Sequence, residues 1–238
     1  MHRLAARYRR PLLGLLLGLV VVLAWDASGL DLAVARVFGG ASGFPARDAF
    51  WSRDVLHAGM RNLWIATWLV LALDAFRSQP AVEGPSRRDR RLALLAGLLV
   101  LVIVPALKGL SHTSCPWSLQ DFGSTAPFVS HWDWTLRDGG PGHCFPSGHT
   151  AGAAAFAPFA WLWGRRGWTL MGLSMGLASF GQITRGAHFL SHTLWAAWIG
   201  IALGWVLLEA LRGPGYLAEA GQSHAQAHQC PAAAAPKP

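Results

Sequence analysis

Residues 92–107 read LALLAGLLVLVIVPAL, an unbroken apolar run that ends at Lys108. A helix that crosses a bilayer needs about 20 predominantly apolar residues, with some latitude for tilt and polar ends. Further apolar runs of this kind lie at 11–25, 60–76, 149–163, 167–183 and 193–211. The sequence therefore predicts an all-α fold, an integral membrane bundle of about six transmembrane helices.

The composition of the whole chain agrees with this fold class. Of 238 residues, 53% are hydrophobic and 13% are charged, and 13 are tryptophan. Such values are typical of a membrane protein. We expect one membrane domain over 1–212. The polar, low-complexity stretch over 213–238 buries too little apolar surface to fold and is predicted to be a disordered cytoplasmic tail.

The basic residues predict the orientation of the chain. The formal net charge is +8, and many of the arginines fall in clusters within 3–10, 77–91 and 165–166. The positive-inside rule places these clusters and both termini in the cytoplasm. The segments 26–59, 109–148 and 184–192 then face the outside, which is the periplasm if the membrane is the inner membrane of a bacterium. The basic excess is interpreted as a topology signal, and no nucleic-acid partner is expected.

The first apolar run could also belong to a cleaved signal peptide. It ends with the sequence VLAWD at 22–26, which lacks a convincing small-residue cleavage site. We therefore expect the first helix to be retained.

Polar groups gather at two of the predicted helix ends, with PSGH at 146–149 and TRGAHFLSH at 184–192. Ionisable groups near a membrane are costly and usually serve binding or chemistry. Pro-Ser-Gly before a helix supplies a capping side chain and free backbone N–H groups, which bind anions. Arg185 adds a fork of donors suited to phosphate. His188 and His192 lie four residues apart, on one face if the turn is helical.

Together these residues resemble the type 2 phosphatidic acid phosphatase family, which is related to the vanadium haloperoxidases. The family pattern is Lys, six residues, Arg-Pro; then Pro-Ser-Gly-His; then Ser-Arg, five residues, His, three residues, Asp. Residues 146–149 match the second motif in full. Lys108 matches the lysine of the first motif, and His188 matches the histidine of the third. The resemblance covers roughly 92–211.

The resemblance implies a metal-independent lipid phosphatase that uses no cofactor. His188 would be the nucleophile and would form a phosphohistidine, since covalent catalysis divides one difficult transfer into two steps. His149 would protonate the leaving oxygen and then activate water. The groups that would hold the phosphoryl oxygens are Lys108, Ser147, the Gly148 N–H and Arg185.

Three positions depart from the family pattern. Cys115 stands in place of the arginine of the first motif, and Gln182, rather than Arg185, aligns with the arginine of the third. His192 occupies the place of the aspartate and would have to orient His188 through a ring nitrogen. The missing charges could come from the outer loops, where the candidates are Asp54, Asp133, Asp138 and Arg137.

Cys115 and Cys144 share one outer loop, whereas Cys230 lies in the tail. Because the outer compartment of a bacterial membrane is oxidising, a Cys115–Cys144 disulfide is expected there. The alternative is a pair of buried free thiols.

Other features of the outer segments are expected to be structural. Spaced aromatic residues along 109–148 predict an interfacial belt or, alternatively, the entrance for a lipid tail. The segment around 45–60 would accommodate a short amphipathic or re-entrant piece. The histidines expected to be interfacial or solvated are His57, His112, His131 and His143.

The leading function is hydrolysis of a lipid phosphate or pyrophosphate from the outer leaflet. Candidate substrates are undecaprenyl pyrophosphate, phosphatidylglycerophosphate, phosphatidic acid and a lipid A phosphate. The partners expected are this substrate and the surrounding membrane lipids, and no pattern predicts an oligomeric state.

Three alternatives remain at this point. A phosphotransferase would replace water by the hydroxyl of another lipid. A zinc-dependent hydrolase would use His149, His188 and His192 as ligands, although the glutamate of an HExxH motif is missing. The third alternative, suggested by the three departures, is a membrane protein that has lost catalysis. A haloperoxidase does not fit, because those enzymes are mainly soluble.

Overall fold

The protein is described here by a computed structural model that covers residues 2–77, 84–133 and 135–213. The helices of these residues are α1 (His2–Ser28), α2 (Asp31–Phe38), α3 (Met60–Phe76), α4 (Arg87–Gly109), α5 (Gly148–Ala154), α6 (Ala157–Thr184) and α7 (Leu190–Arg212). A π-helix, Trp51–Gly59, leads directly into α3. The predicted all-helical class is confirmed. Beyond Gly213, the tail expected over 213–238 lies outside the described residues.

Three helices of the described ranges are long and apolar enough to cross a membrane, judged by length and composition. They are Tyr8–Ser28, Arg87–Gly109 and Leu190–Arg212. α3 is also apolar and has 17 residues. Proline at position 105 is accommodated inside α4, as is common in membrane helices, where neighbouring groups satisfy the freed backbone.

The fourth and fifth predicted spans, 149–163 and 167–183, have different bounds in the structure. α5 ends at Ala154, and α6 begins at Ala157 with Pro158 in its first turn. Proline is tolerated there because the first N–H groups of a helix have no intrahelical acceptor. The fourth predicted span therefore corresponds to α5 and the first arm of α6.

Gly164 divides α6 into two arms. Its backbone has φ 59° and ψ −136°, a conformation that glycine adopts at little steric cost. A Cβ at Gly167 would lie 2.7 Å from the Cα of Ala160, so the second arm packs against the first. This break coincides with the short Arg165–Arg166 connection that the sequence analysis placed between the fourth and fifth spans.

Small residues bring the helices close together at the centre of the bundle. A Cβ at Gly97 of α4 would lie 2.6 Å from the Ala155 carbonyl oxygen. A Cβ at Gly200 of α7 would lie 2.5 Å from the Cβ of Ala154. Because lipid tails are as apolar as leucine, close packing by small residues is a main source of helix association in a membrane.

The arginines at the start of α4 and the histidine motifs lie at opposite ends of the bundle. Arg212, at the end of α7, pairs with Asp89 in the first turn of α4 at 2.8 Å. α4 has 23 residues, so its other end is about 34 Å away. Lys108 lies at that far end, beside Gly148 of the first histidine motif.

The outer segments form a small core of their own above the helices. Its buried members are Ala35, Phe44, Leu119, Phe122, Ala126 and Phe189. Phe122 is thus a core residue of the outer segments and not part of an interfacial belt. The short helix α2, which contributes Ala35, was not predicted from the sequence. The piece expected around 45–60 corresponds to the π-helix Trp51–Gly59.

Candidate active site

Ser147 caps the start of α5, as its sequence context predicts. Its Oγ accepts hydrogen bonds from the Thr150 backbone N at 3.4 Å and from the Thr150 Oγ1 at 3.2 Å. Thr150 Oγ1 also lies 3.1 Å from Ser179 Oγ of α6. Hydroxyl contacts therefore fix the helix that carries His149 to the second arm of α6.

Lys108 lies against the start of α5. A Cβ at Gly148 would lie 3.8 Å from the Lys108 Nζ. The glycine therefore leaves space next to the ammonium group, and in that space an anion would meet both the Lys108 charge and the α5 backbone. This is the juxtaposition that the sequence analysis expected for Lys108 and Gly148.

His149 is held by a histidine that the sequence analysis did not select. The His149 Nε2 lies 3.2 Å from the carbonyl oxygen of His57, and the two rings stack with centroids 4.0 Å apart. A carbonyl can only accept, so Nε2 carries a proton and Nδ1 is the basic nitrogen of neutral His149. The Trp64 ring lies on another side, 5.7 Å away.

The loop between α6 and α7 carries His188 and is fixed by backbone hydrogen bonds. The N–H groups of Ala187 and His188 both donate to the Gln182 carbonyl, at 2.9 and 3.3 Å. The Gly186 carbonyl accepts from the Trp117 N at 2.9 Å. Gly186 has φ 69°, and a Cβ there would overlap the Phe44 ring. Only glycine fits this turn without displacing the loop.

The structure joins Cys115 to Cys144 in a disulfide, and this disulfide lies against the nucleophile candidate. The Cys144 Sγ is 3.5 Å from the Nδ1 of His188. The potential ligand atoms of Cys115, Cys144 and His188 lie within 4.8 Å of one another. Both sulfurs are already bonded to each other, however, and a metal would require thiolates.

His188 is buried and electrically neutral at neutral pH. Only 5% of the surface of His188 is exposed. Burial lowers the pKa of His188 well below its usual range, and the positive charge of Lys108 lowers that pKa further. A neutral imidazole has a free lone pair on one ring nitrogen, so His188 is available as a nucleophile.

His192 does not orient His188 directly. The two ring centroids are 5.9 Å apart, and no hydrogen bond joins these rings within the described part of the chain. The His192 Nδ1 is buried without a partner. Instead, His192 packs edge-on against His131 at 5.2 Å, and the His131 Nε2 lies 3.5 Å from the Asp26 carboxylate.

The outer-loop residues that were considered as sources of the missing charges have other partners or are exposed. Asp138 accepts from Ser114 Oγ at 2.9 Å, Asp133 accepts from Thr135 Oγ1 at 2.8 Å, and Asp54 pairs with Arg53 at 3.1 Å. Arg137 is exposed. The carboxylate that the structure places behind His192 is that of Asp26, through His131.

Arg185 is buried, and the segment that precedes the π-helix holds its side chain in place. Its Nε donates to the Arg47 carbonyl at 2.9 Å, and its guanidinium carbon lies 5.8 Å from the centre of the Trp117 ring. Its charge acts on His57, which stacks on His149. Arg185 therefore belongs to the same site as His149, although it is displaced from the family position.

Residues that were not predicted to belong to the site include Gln182 and His57, the latter expected to be interfacial or solvated. The His57 Nδ1 lies 3.1 Å from the Gln182 Nε2, so the residue aligned with the family arginine contacts the ring that stacks on His149. No sequence signal marks His57, because 92 positions separate it from His149. Gln182 could have been noticed as a buried amide inside an apolar run.

Comparison with known proteins identifies the family of the chain. The family model described as "PAP2 superfamily" matches residues 91–213. A solved structure, that of a transmembrane PAP2-type phosphatidylglycerolphosphate phosphatase from Bacillus subtilis, is similar with a TM-score of 0.50 and 19% identity. The similarity covers 82% of this chain and 92% of that chain. No curated protein matches the sequence.

Proposed function

The chain belongs to the PAP2 superfamily and is a membrane phosphatase that acts on lipid phosphates, and from that premise we propose a phosphohistidine mechanism. The observation that carries the proposal is the burial of His188, whose pKa is lowered by that burial and by the positive charge of Lys108. A neutral ring nitrogen attacks phosphorus, and a nearby fixed cation stabilises the charge that develops on the phosphoryl oxygens.

In the first step, a lone pair of the His188 ring forms the N–P bond while the bond from phosphorus to the lipid oxygen breaks. The protonated His149 gives its Nδ1 proton to the leaving oxygen, because Nε2 is engaged with the His57 carbonyl. In the second step, His149 Nδ1 takes a proton from water. The resulting oxygen attacks phosphorus, releases inorganic phosphate and restores the His188 lone pair.

Four groups would hold the phosphoryl oxygens through both steps. Lys108 and Gly148 lie next to each other at one side of His149. In the described structure, the hydrogen bond of the Arg185 side chain is made by its Nε. The remaining guanidinium N–H groups of Arg185 are free to form a bidentate contact with phosphate. Ser147, which is buried at the α5 N-cap, completes the set.

An apolar cleft supports a substrate with a hydrocarbon chain. The cleft has a volume of about 310 Å³ and lies between α3 and α6. Trp64 forms part of its wall and also contacts His149, with ring centroids 5.7 Å apart. A lipid chain in this cleft would leave its phosphate near His149. The larger lining side chains are Leu63, Phe156, Phe159, Trp163 and Met171.

We further propose that the site faces the periplasm and that both termini are cytoplasmic, in the inner membrane of a bacterium. Supporting this orientation, the cytoplasmic end assigned by the positive-inside rule is the end where Arg212 meets Asp89. The site lies at the opposite end, together with the Cys115–Cys144 disulfide. A disulfide suits an oxidising compartment.

Phosphate release by the purified protein, with EDTA present, tests the proposed function. The substrates are phosphatidic acid, phosphatidylglycerophosphate, undecaprenyl pyrophosphate and a lipid A phosphate, each in mixed micelles. We expect release that persists in EDTA, disappears in His188→Ala and falls strongly in Arg185→Ala. His112→Ala, a change to another outer-loop histidine, is the matched control and should retain activity.

Two other results would contradict the proposal. Release that stops in EDTA would indicate the zinc-dependent alternative. Loss of substrate without release of inorganic phosphate, accompanied by a new phosphorylated lipid when an acceptor lipid is added, would identify a phosphotransferase.

A further inference from the structure

His57 lies against His149, the proposed general acid and base, and can influence the protonation of that ring. Its ring stacks on His149 at 4.0 Å, with the planes 15° apart, and its carbonyl accepts from the His149 Nε2 at 3.2 Å. Two stacked imidazoles at this distance cannot both be protonated without strong repulsion. The pair therefore holds at most one extra proton near neutral pH, and function requires that proton on His149.

Gln182 contacts the one nitrogen of His57 at which that proton could be taken up. The Gln182 Nε2 is 3.1 Å from the His57 Nδ1. An amide nitrogen only donates, so the His57 Nδ1 accepts and the remaining hydrogen of the ring is on Nε2. Protonation at Nδ1 would set an N–H of the ring against an N–H of the amide. A hydrogen bond donated to the neutral form of a base disfavours its charged form.

The positive charges that act on His57 all lower its pKa. Arg61 approaches from α3 and Arg185 from the loop before α7, and with burial they lower the pKa of His57. Lys108 of α4 and Arg185 also act on His149, and His188 lies across the site. These groups disfavour a charge on either ring, and the contact from Gln182 is a further one that His57 receives and that His149 does not share in the described part of the chain.

We propose that Gln182 keeps His57 neutral, so that the proton taken up when a phosphate binds resides on the Nδ1 of His149. His57 is a positioning residue in this arrangement. Its carbonyl fixes the His149 tautomer, and its ring covers one face of His149 without competing for the proton. Gln182 also holds the His188 loop through its backbone carbonyl, so one residue serves both histidines. This inference rests on the proposed function for the catalytic role of His149.

A histidine titration tests the inference without using activity. The full-length protein is labelled with ¹⁵N-histidine, and the His57 resonances are assigned by their absence in His57→Phe. In the wild type, we expect His57 to remain the Nε2–H tautomer and to stay neutral below its ordinary pKa. In Gln182→Met, which keeps the length of the side chain but has no donor, His57 should take up a proton on the order of half a pH unit higher.

The pH dependence of kcat/KM supplies a second test of the inference. The basic limb of this profile reports loss of the His149 proton. Gln182→Met should move that limb to lower pH, since His57 then competes for the proton. In the His57→Phe background, which retains an aromatic ring over His149, the same change should move nothing, because the amide acts only through His57.

Three results would overturn the inference. They are a wild-type His57 with its proton on Nδ1, a His57 titration that is unchanged in Gln182→Met, and a limb that shifts equally with and without His57. If the wild type releases no phosphate, or if His188→Ala remains active, the proposed function fails instead. The ¹⁵N titration still decides the inference in that case.

Discussion

The backbone N–H of Ser147 donates a hydrogen bond of 3.1 Å to the carbonyl of His192. This bond joins the start of α5 to the first turn of α7, and thereby joins the two histidine motifs at the level of the main chain. Because it does not involve the His192 ring, His192 contributes to the site through its backbone as well as through its buried imidazole. A substitution of the ring therefore leaves this connection between the motifs in place.

His149→Ala should separate the two chemical steps. A lipid leaving group needs a proton from His149, so release from a lipid phosphate should fall by about 10²–10⁴-fold. An aryl phosphate has a good leaving group and should still phosphorylate His188, but water is then poorly activated. Rapid quenching with a ³²P-labelled aryl phosphate should therefore reveal an acid-labile phosphoenzyme that accumulates in His149→Ala. Absence of label in both the wild type and this variant would contradict the covalent mechanism.

The acid limb of the pH profile should lie below the ordinary range of histidine. Burial and Lys108 lower the pKa of His188, so its neutral, reactive form persists to lower pH and is lost only as the pH falls through the depressed value. Lys108→Met removes a positive charge and should move the acid limb of kcat/KM to higher pH, besides weakening phosphate binding. A limb that stays in place in Lys108→Met would show that Lys108 does not act on the His188 ring.

Removal of the disulfide should destabilise the outer loop and the site together. Cys115 and Cys144 are separated by 29 positions, and closure of a loop of that length contributes about 3–4 kcal/mol in the chain-entropy account. The double variant Cys115→Ser/Cys144→Ser should unfold at a lower temperature in detergent. It should also lose activity because the Cys144 Sγ packs against His188. The variant Cys230→Ser controls for loss of a thiol and should behave as the wild type.

Gly186→Ala should disable the loop that carries His188. The residue has φ 69°, and an added Cβ would overlap the Phe44 ring, so either the ring or the loop must shift. We expect phosphate release to fall by at least about tenfold, because displacements of about 1 Å at a reacting group are costly. Gly172→Ala in α6 is the matched control, since a Cβ there meets nothing within 4 Å. Equal activity in the two variants would show that the position of this loop is not critical.

The sequence was sufficient for the all-helical class, for the long apolar helices and for the two histidine motifs. Long apolar runs predict membrane helices because the requirement is local, namely the burial of about 20 consecutive residues in hydrocarbon. The PSGH motif likewise predicts its own structure, since Ser147 caps the helix through Thr150, three positions away. The class of the fold was accessible in this way, whereas the grouping of Lys108, Gly148 and Arg185 in one site was implied by the resemblance to the family.

The partners of the histidines could be found only in the tertiary structure. His57 reaches His149 across 92 positions, and Asp26 approaches His192 through His131 rather than by the i+4 spacing that the family pattern suggests. The break of α6 at Gly164 was likewise seen only as a short polar connection. Local hydropathy and spacing determine where helices begin and which polar groups stand at their ends. Which buried rings then contact one another depends on helix packing, and packing joins residues whose sequence distance carries no signal.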